Sequence, residues 1–268
     1  MDTPDDRPVQ GRLILVTGGA RSGKSTHAER LAAQLAEPRG GRVTYIATSQ
    51  TLDEEMDQRV SAHQASRPET WTTVECPVEV PAAVRAAAAG ATAAGSGERG
   101  AGGVASAGAP SSPLPVVLLD CVTLWVANLL FEGGALGGSR PPEHGYNYDK
   151  DLLPAAEERA AAARVAAAVD GLVAAVAETG VSLVAVTNEV GLGVVPEYPL
   201  ARLYRDQLGW ANQRLARDAD DIFFLVAGFP LDVKALSAGP LRAFGPVRPS
   251  GPVPSPSADD PSPPKEPQ

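Results

Sequence analysis

The stretch Arg12–Leu31, RLILVTGGARSGKSTHAERL, decides the fold. It opens on a continuous apolar run, Leu13–Thr17, with no polar alternation. Such a run predicts a strand covered on both faces. Downstream, Ala28, Leu31, Ala32 and Leu35 fall at helical spacing and predict a helix from about Lys24 to Leu35. Between the two, Gly18, Gly19, Ala20, Arg21, Ser22, Gly23, Lys24 and Ser25 fit G-x-x-x-x-G-K-[ST]. Glycines let successive backbone N–H groups curl around phosphate oxygens. Lys24 supplies a point charge for the β/γ-phosphates, Ser25 offers a hydroxyl to Mg²⁺, and the helix start adds its dipole. The competing reading is a glycine turn that happens to contain Lys-Ser. The chain has 27 Gly but only 4 Lys, so the full pattern between a strand and a helix is hard to reach by chance. The loop specifies a nucleoside phosphate, not a base or a reaction.

The same alternation continues outward. Apolar runs predict strands at Val43–Ala47, Val116–Asp120, Leu183–Thr187 and Ile222–Val226, and helical patterns run from about Ala155 to Glu178 and from Leu200 to about Arg217. Strands alternating with helices predict an α/β fold, a single phosphate-loop domain whose mostly parallel central sheet is flanked by helices. Three pieces read as lying outside it. Residues 1–11 are polar and form a flexible arm. Residues 86–112 hold 11 Ala and 7 Gly with almost no large apolar side chain, and read as a mobile insertion. Residues 235–268 carry 10 of the 25 prolines and read as a disordered tail. The domain is then 12–234.

Composition excludes several classes. With 23 basic and 32 acidic residues, net charge −9, the 268-residue chain lacks the basic face of a nucleic-acid binder. Cys76 and Cys121 stand far apart without CxxC spacing, which argues against a disulfide scaffold or a cysteine zinc site and suits a reducing cytoplasm. No run of 18 apolar residues is present, so no membrane span is expected, and the acidic start MDTPDDRPVQ is unlike a secretory signal.

Asp120 ends an apolar strand, where an acid holds a Mg²⁺ shell or orients an acceptor hydroxyl; capping the next helix is the plainer alternative. His63 follows Thr51 and Glu54, a capping-box pair, and the line Leu52, Met56, Val60. Periodicity favours a packing role for it, although a neutral imidazole can also carry a nucleotidyl group as a phosphoramidate. His27 reads as a surface or packing residue, and His144 sits in a Gly/Pro-flanked loop without a role.

Four segments in order, LILVTGGARSGKSTHAERLA, YIATSQTLDEEMDQRVSAHQASRP, LLDCVTLWVANLLF and VAVTNEVGLGVVPEYPLARLYRDQLGWANQRLA, resemble the bifunctional adenosylcobinamide kinase / adenosylcobinamide-phosphate guanylyltransferase family of cobalamin synthesis. The resemblance covers about 12–84 and 114–234. It implies a RecA-like fold and phosphorylation of the aminopropanol hydroxyl of a corrinoid. GMP from GTP is then transferred through a histidine, with GTP and ATP as the nucleotides and a homotrimeric assembly. In this chain His63 matches the guanylyl carrier, reversing the plainer reading. Nucleotide contacts are implied at Gly18–Ser25, at Ala47, Thr48 and Ser49, at Gln64, Ala65, Ser66 and Arg67, and at Glu75 and Asp120. Ser25 and Asp120 are the metal candidates, and Glu75 suits the guanine N1–H and 2-amino group.

Neither the arm, the insertion nor the tail belongs to that pattern, and none interrupts a motif. Asn188 and Glu189 fit either a ligand contact or a strand-end turn, and Arg202, Arg205 and Arg214 fit either triphosphate neutralisation or surface pairing. The alternatives to the family reading are a phosphate-loop kinase of another small alcohol and an NTP-dependent switch.

Overall fold

The computed structural model describes residues 11–39, 42–49, 68, 70–96, 116–131 and 155–237. Expected strands and helices form close to where periodicity places them. They are β1 (Leu13–Gly18), α1 (Lys24–Ala36), β2 (Val43–Ala47), β4 (Val116–Asp120), α4 (Ala155–Thr179), β5 (Ser182–Val186), α5 (Pro199–Asp218) and β6 (Asp221–Val226). The structure adds β3 (Trp71–Glu75), α2 (Val80–Ser96), α3 (Val122–Phe131), β7 (Phe229–Asp232) and the short helix α6 (Val233–Ser237).

Seven strands form one sheet in the order β3-β2-β4-β5-β1-β6-β7. Every pairing is parallel except the β6–β7 hairpin. The hairpin turns on Ala227 and Gly228, both at positive φ, as a two-residue connection demands. Alternate residues of each central strand enter opposite layers, which is why the strands read as unbroken apolar runs. Leu13, Leu15, Val117, Leu119, Leu183 and Ala185 pack with α2–α5. Ile14, Val16, Leu118, Val184 and Val186 face the other way, with Ala28, Ala32 and Ala36 of α1. Those alanines are fully buried and repeat every fourth residue, so α1 approaches the sheet closely. A Leu in their place would cost about 1–3 kcal/mol in overpacking.

One expectation changes. The stretch from residue 86 begins as the second half of α2: Ala88 is buried, and Ala83 and Ala87 pack on the core. Alanine is the strongest helix former, so low bulk did not preclude order there. Separately, α4 is long and apolar enough by composition to span a bilayer. Its Ala161, Val165, Val169, Leu172 and Val176 are buried at three- and four-residue spacing, the pattern of a core helix, here packed against α2, α3 and α5. By contacts the chain divides after Val233, and only the end of α6 is described beyond that point.

Candidate nucleotide site

In a parallel sheet the carboxyl ends of the strands point the same way, and ligands bind beyond them. Here that edge gathers four of the segments singled out by sequence. Ala47 pairs with Glu75 on one side and with Asp120 on the other, while the Gly18–Ser25 loop leaves β1 two strands beyond Asp120. The row from Glu75 to the loop crosses four strand spacings, about 19 Å.

The loop is held from below. Gly18 has φ 151°, and a Cβ there would lie 2.6 Å from the Leu225 carbonyl oxygen, so only glycine fits. Gly228 N–H donates to the Ser22 carbonyl at 3.0 Å, tying the loop to the β6–β7 hairpin. Arg21 and Gly23 also adopt positive φ, and Gly23 directly precedes α1. Gly19, Ala20, Arg21 and Gly23 are exposed, and Ser25 is half-buried. Lys24 is only 8% exposed, and its Nζ donates to the Gly19 carbonyl at 2.6 Å. Burial lowers the Lys24 pKa, opposed by Cys121 and Asp120. The Cys121 thiol is pushed up to about 11 by burial and then by Asp120, so at neutral pH it is uncharged.

Asp120 and the residue after it are anchored from β2. Tyr45 Oη donates to its Oδ2 at 2.9 Å. Thr48 N–H donates to its carbonyl at 3.2 Å. The Thr48 hydroxyl donates to the Cys121 carbonyl at 2.7 Å and accepts from Cys121 N–H at 2.9 Å. Asn128 Nδ2 then donates to the carbonyls of Thr48 and Pro77, both at 2.9 Å. Thr48 is fully buried with its hydroxyl spent on the β4–α3 turn, whereas Ser49 is half-buried and Glu75 is exposed.

The segment Thr187–Gly191 also belongs to this edge. Glu189 N–H donates to the Gly18 carbonyl at 3.1 Å. Asn212 accepts from the Thr187 hydroxyl at 2.7 Å and donates to the Asn188 carbonyl at 3.0 Å, while Asn188 N–H reaches the Thr123 hydroxyl at 2.8 Å. Each of the three arginines is held by neighbours within the chain. Arg214 pairs with Asp170 and Asp218, Arg205 with Asp206, and Arg202 with the carbonyls of Pro196 and Glu197. His27 packs edge-on against Phe223 with ring centroids 5.3 Å apart, and burial followed by Arg30 lowers its pKa. His63, Gln64, Ala65, Ser66 and Arg67 lie outside the described residues, as do Thr51, Glu54 and His144. Sequence reading missed Tyr45, Asn128, Thr123 and Asn212. Their chemistry is generic, and their places follow only from strand order.

A parallel α/β sheet whose central strand turns through a glycine loop into a helix start, beside a strand-end carboxylate, has the architecture of phosphate-loop proteins. The particular family follows from comparison. Residues 14–94 and 104–233 match the family profile "Cobinamide kinase / cobinamide phosphate guanyltransferase", and the chain belongs to that family. The bifunctional adenosylcobalamin biosynthesis protein CobU of Salmonella typhimurium LT2 is 40% identical over 222 residues, 83% of this chain and 99% of that protein. Its namesake in Escherichia coli K12 is 39% identical, with the same coverage. The CobP protein of Pseudomonas aeruginosa PAO1 is 33% identical over 82% of this chain and 96% of its own length. The protein is thus a bifunctional transferase with kinase and guanylyltransferase activities.

Proposed function

We propose that this chain phosphorylates the aminopropanol hydroxyl of adenosylcobinamide and then places GMP from GTP on that phosphate, with His63 as the guanylyl carrier. The carrying observation is that the loop Gly18–Ser25 and Asp120 open on the same carboxyl edge of the sheet, in a chain of this family. In the first step the substrate hydroxyl oxygen attacks the γ-phosphorus of ATP or GTP and releases its proton to solvent. The bond to the β-phosphate oxygen breaks, and the nucleoside diphosphate leaves. Loop N–H groups and Lys24 neutralise the charge that spreads over the transferring oxygens. In the second step an imidazole nitrogen of His63 attacks the α-phosphorus of GTP and expels pyrophosphate. The phosphate oxygen of the corrinoid then attacks the same phosphorus, breaks the P–N bond and frees the histidine. Gln64–Arg67, Ala47–Ser49 and Glu75 complete the nucleotide contacts, with Glu75 accepting from guanine.

Ser25 and Asp120 offer hard oxygen donors suited to Mg²⁺, and no cluster of three His, Cys, Asp or Glu forms a metal cage among the described residues. This fits an ion carried mainly by nucleotide phosphates. When bound it withdraws charge from those phosphates; Ser25 and Asp120 would hold it. We also infer a homotrimer acting in the cytoplasm.

The test is incubation with α-³²P-GTP or γ-³²P-GTP, comparing wild type with His63→Ala on a denaturing gel. Label retained from the α position alone, and lost in the variant, is the expected result. A protein that binds GTP but takes no covalent label would remove the transferase half of this reading.

A further inference from the structure

Asp120 and Tyr45 stand 75 positions apart in sequence and meet only because β2 lies beside β4. Tyr45 pairs with Leu118, two residues before the Ala47–Asp120 pair, and both side chains fall on the α1 side of the sheet. The ring is 4% exposed, so the hydroxyl emerges from the core directly beneath the carboxylate. A buried tyrosine needs a partner for its O–H, and a carboxylate is the strongest acceptor on that edge. The bond occupies Oδ2, and among the described residues no hydrogen bond is made to Oδ1. Backbone motion at the same residue is restrained by Thr48, which bonds both Asp120 and Cys121.

We propose that Tyr45 is a positioning residue of the phosphate site: its hydroxyl sets the orientation in which Asp120 presents its other carboxylate oxygen, Oδ1, at the carboxyl edge of the sheet. Tyr45 acts through Asp120, with no contact to substrate. The inference rests on the reading of Asp120 as a metal-side carboxylate and extends it by one layer. A loosened carboxylate still carries its charge, but it spends part of its time in orientations that do not meet the metal-bound nucleotide. Losing the bond thus weakens the metal-dependent part of nucleotide binding and leaves the metal-free part intact.

The experiment measures binding of methylanthraniloyl-ATP and methylanthraniloyl-GTP by fluorescence, with Mg²⁺ and with EDTA. Wild type is compared with Tyr45→Phe, Asp120→Asn and the double variant, and thermal unfolding is recorded for each. Phenylalanine keeps the buried ring, so folding is retained. The expected result is an affinity gain from Mg²⁺ about tenfold smaller in Tyr45→Phe, with EDTA values within about twofold of wild type. Asp120→Asn should lose at least as much, and the double variant no more than Asp120→Asn, because the tyrosine acts through the acid. If Asp120→Asn loses the Mg²⁺ gain while Tyr45→Phe keeps it, the positioning role is wrong and Asp120's role stands. If Asp120→Asn keeps the gain, the metal reading of Asp120 fails and the role of Tyr45 with it. Equal losses with and without Mg²⁺ in Tyr45→Phe would mark a merely structural residue and also overturn the proposal.

Discussion

Replacing Gly18 by alanine tests whether the loop is shaped by the fold before any ligand arrives. The new Cβ would sit 2.6 Å from the Leu225 carbonyl oxygen and 2.9 Å from Ser22 Oγ. The hydroxyl can rotate away, but the carbonyl cannot, since Gly18 is paired with Leu225 in the β1–β6 ladder. Relief requires moving β1 against β6 by more than half an ångström, on the order of 2 kcal/mol in a close-packed interior. Holding alanine at φ 151° adds about 1–3 kcal/mol. The sum is roughly 3–5 kcal/mol, and for a domain of this size each kcal/mol shifts Tm by about 2–4 °C. Thermal unfolding followed by circular dichroism should fall by at least about 6 °C. Gly19→Ala is the control, because nothing lies within 4 Å of its Cβ position. Its Tm should stay within about 1 °C of wild type, while nucleotide affinity drops if phosphate approaches that backbone closely. A Gly18→Ala protein melting within 2 °C of wild type would refute the steric argument.

Two further outcomes follow from the same geometry. Asn212→Ala strips a partner from the fully buried Thr187 hydroxyl and from the Asn188 carbonyl, which costs about 2 kcal/mol and lowers Tm by roughly 4–8 °C; an unchanged Tm would show the network to be idle. Cys121, with its thiol raised to about 11, holds about one thiolate per thousand at pH 8, so iodoacetamide should label it far more slowly than an ordinary cysteine. The rate should climb about tenfold per pH unit while the fold holds, and rapid stoichiometric labelling at pH 8 would contradict its burial.

Legibility followed the range of the interactions. The strand–glycine turn–helix unit at Leu13–Ala36 and the central strands could be read because each depends on a few adjacent residues: a glycine pattern, or an apolar run covered on both faces. Edge strand β3 escaped detection because its face is exposed and WTTVE offers no apolar run. Strand β7 escaped because the hairpin forms it from four residues, one a proline. The end of α2 was misjudged because alanine-rich sequence signals both low bulk and high helix propensity.

The sequence by itself determined the class of fold and the family, since those rest on local pattern and on four motifs in order. Tertiary structure alone decided which residues support the site. Tyr45 meets Asp120, Thr48 closes on Cys121, and Asn212 pins the turn after β5, across separations of 75, 73 and 24 residues. Strand order sets those meetings. It is chosen by the packing of whole layers and by where each crossover lets a strand lie, which no window of adjacent residues contains.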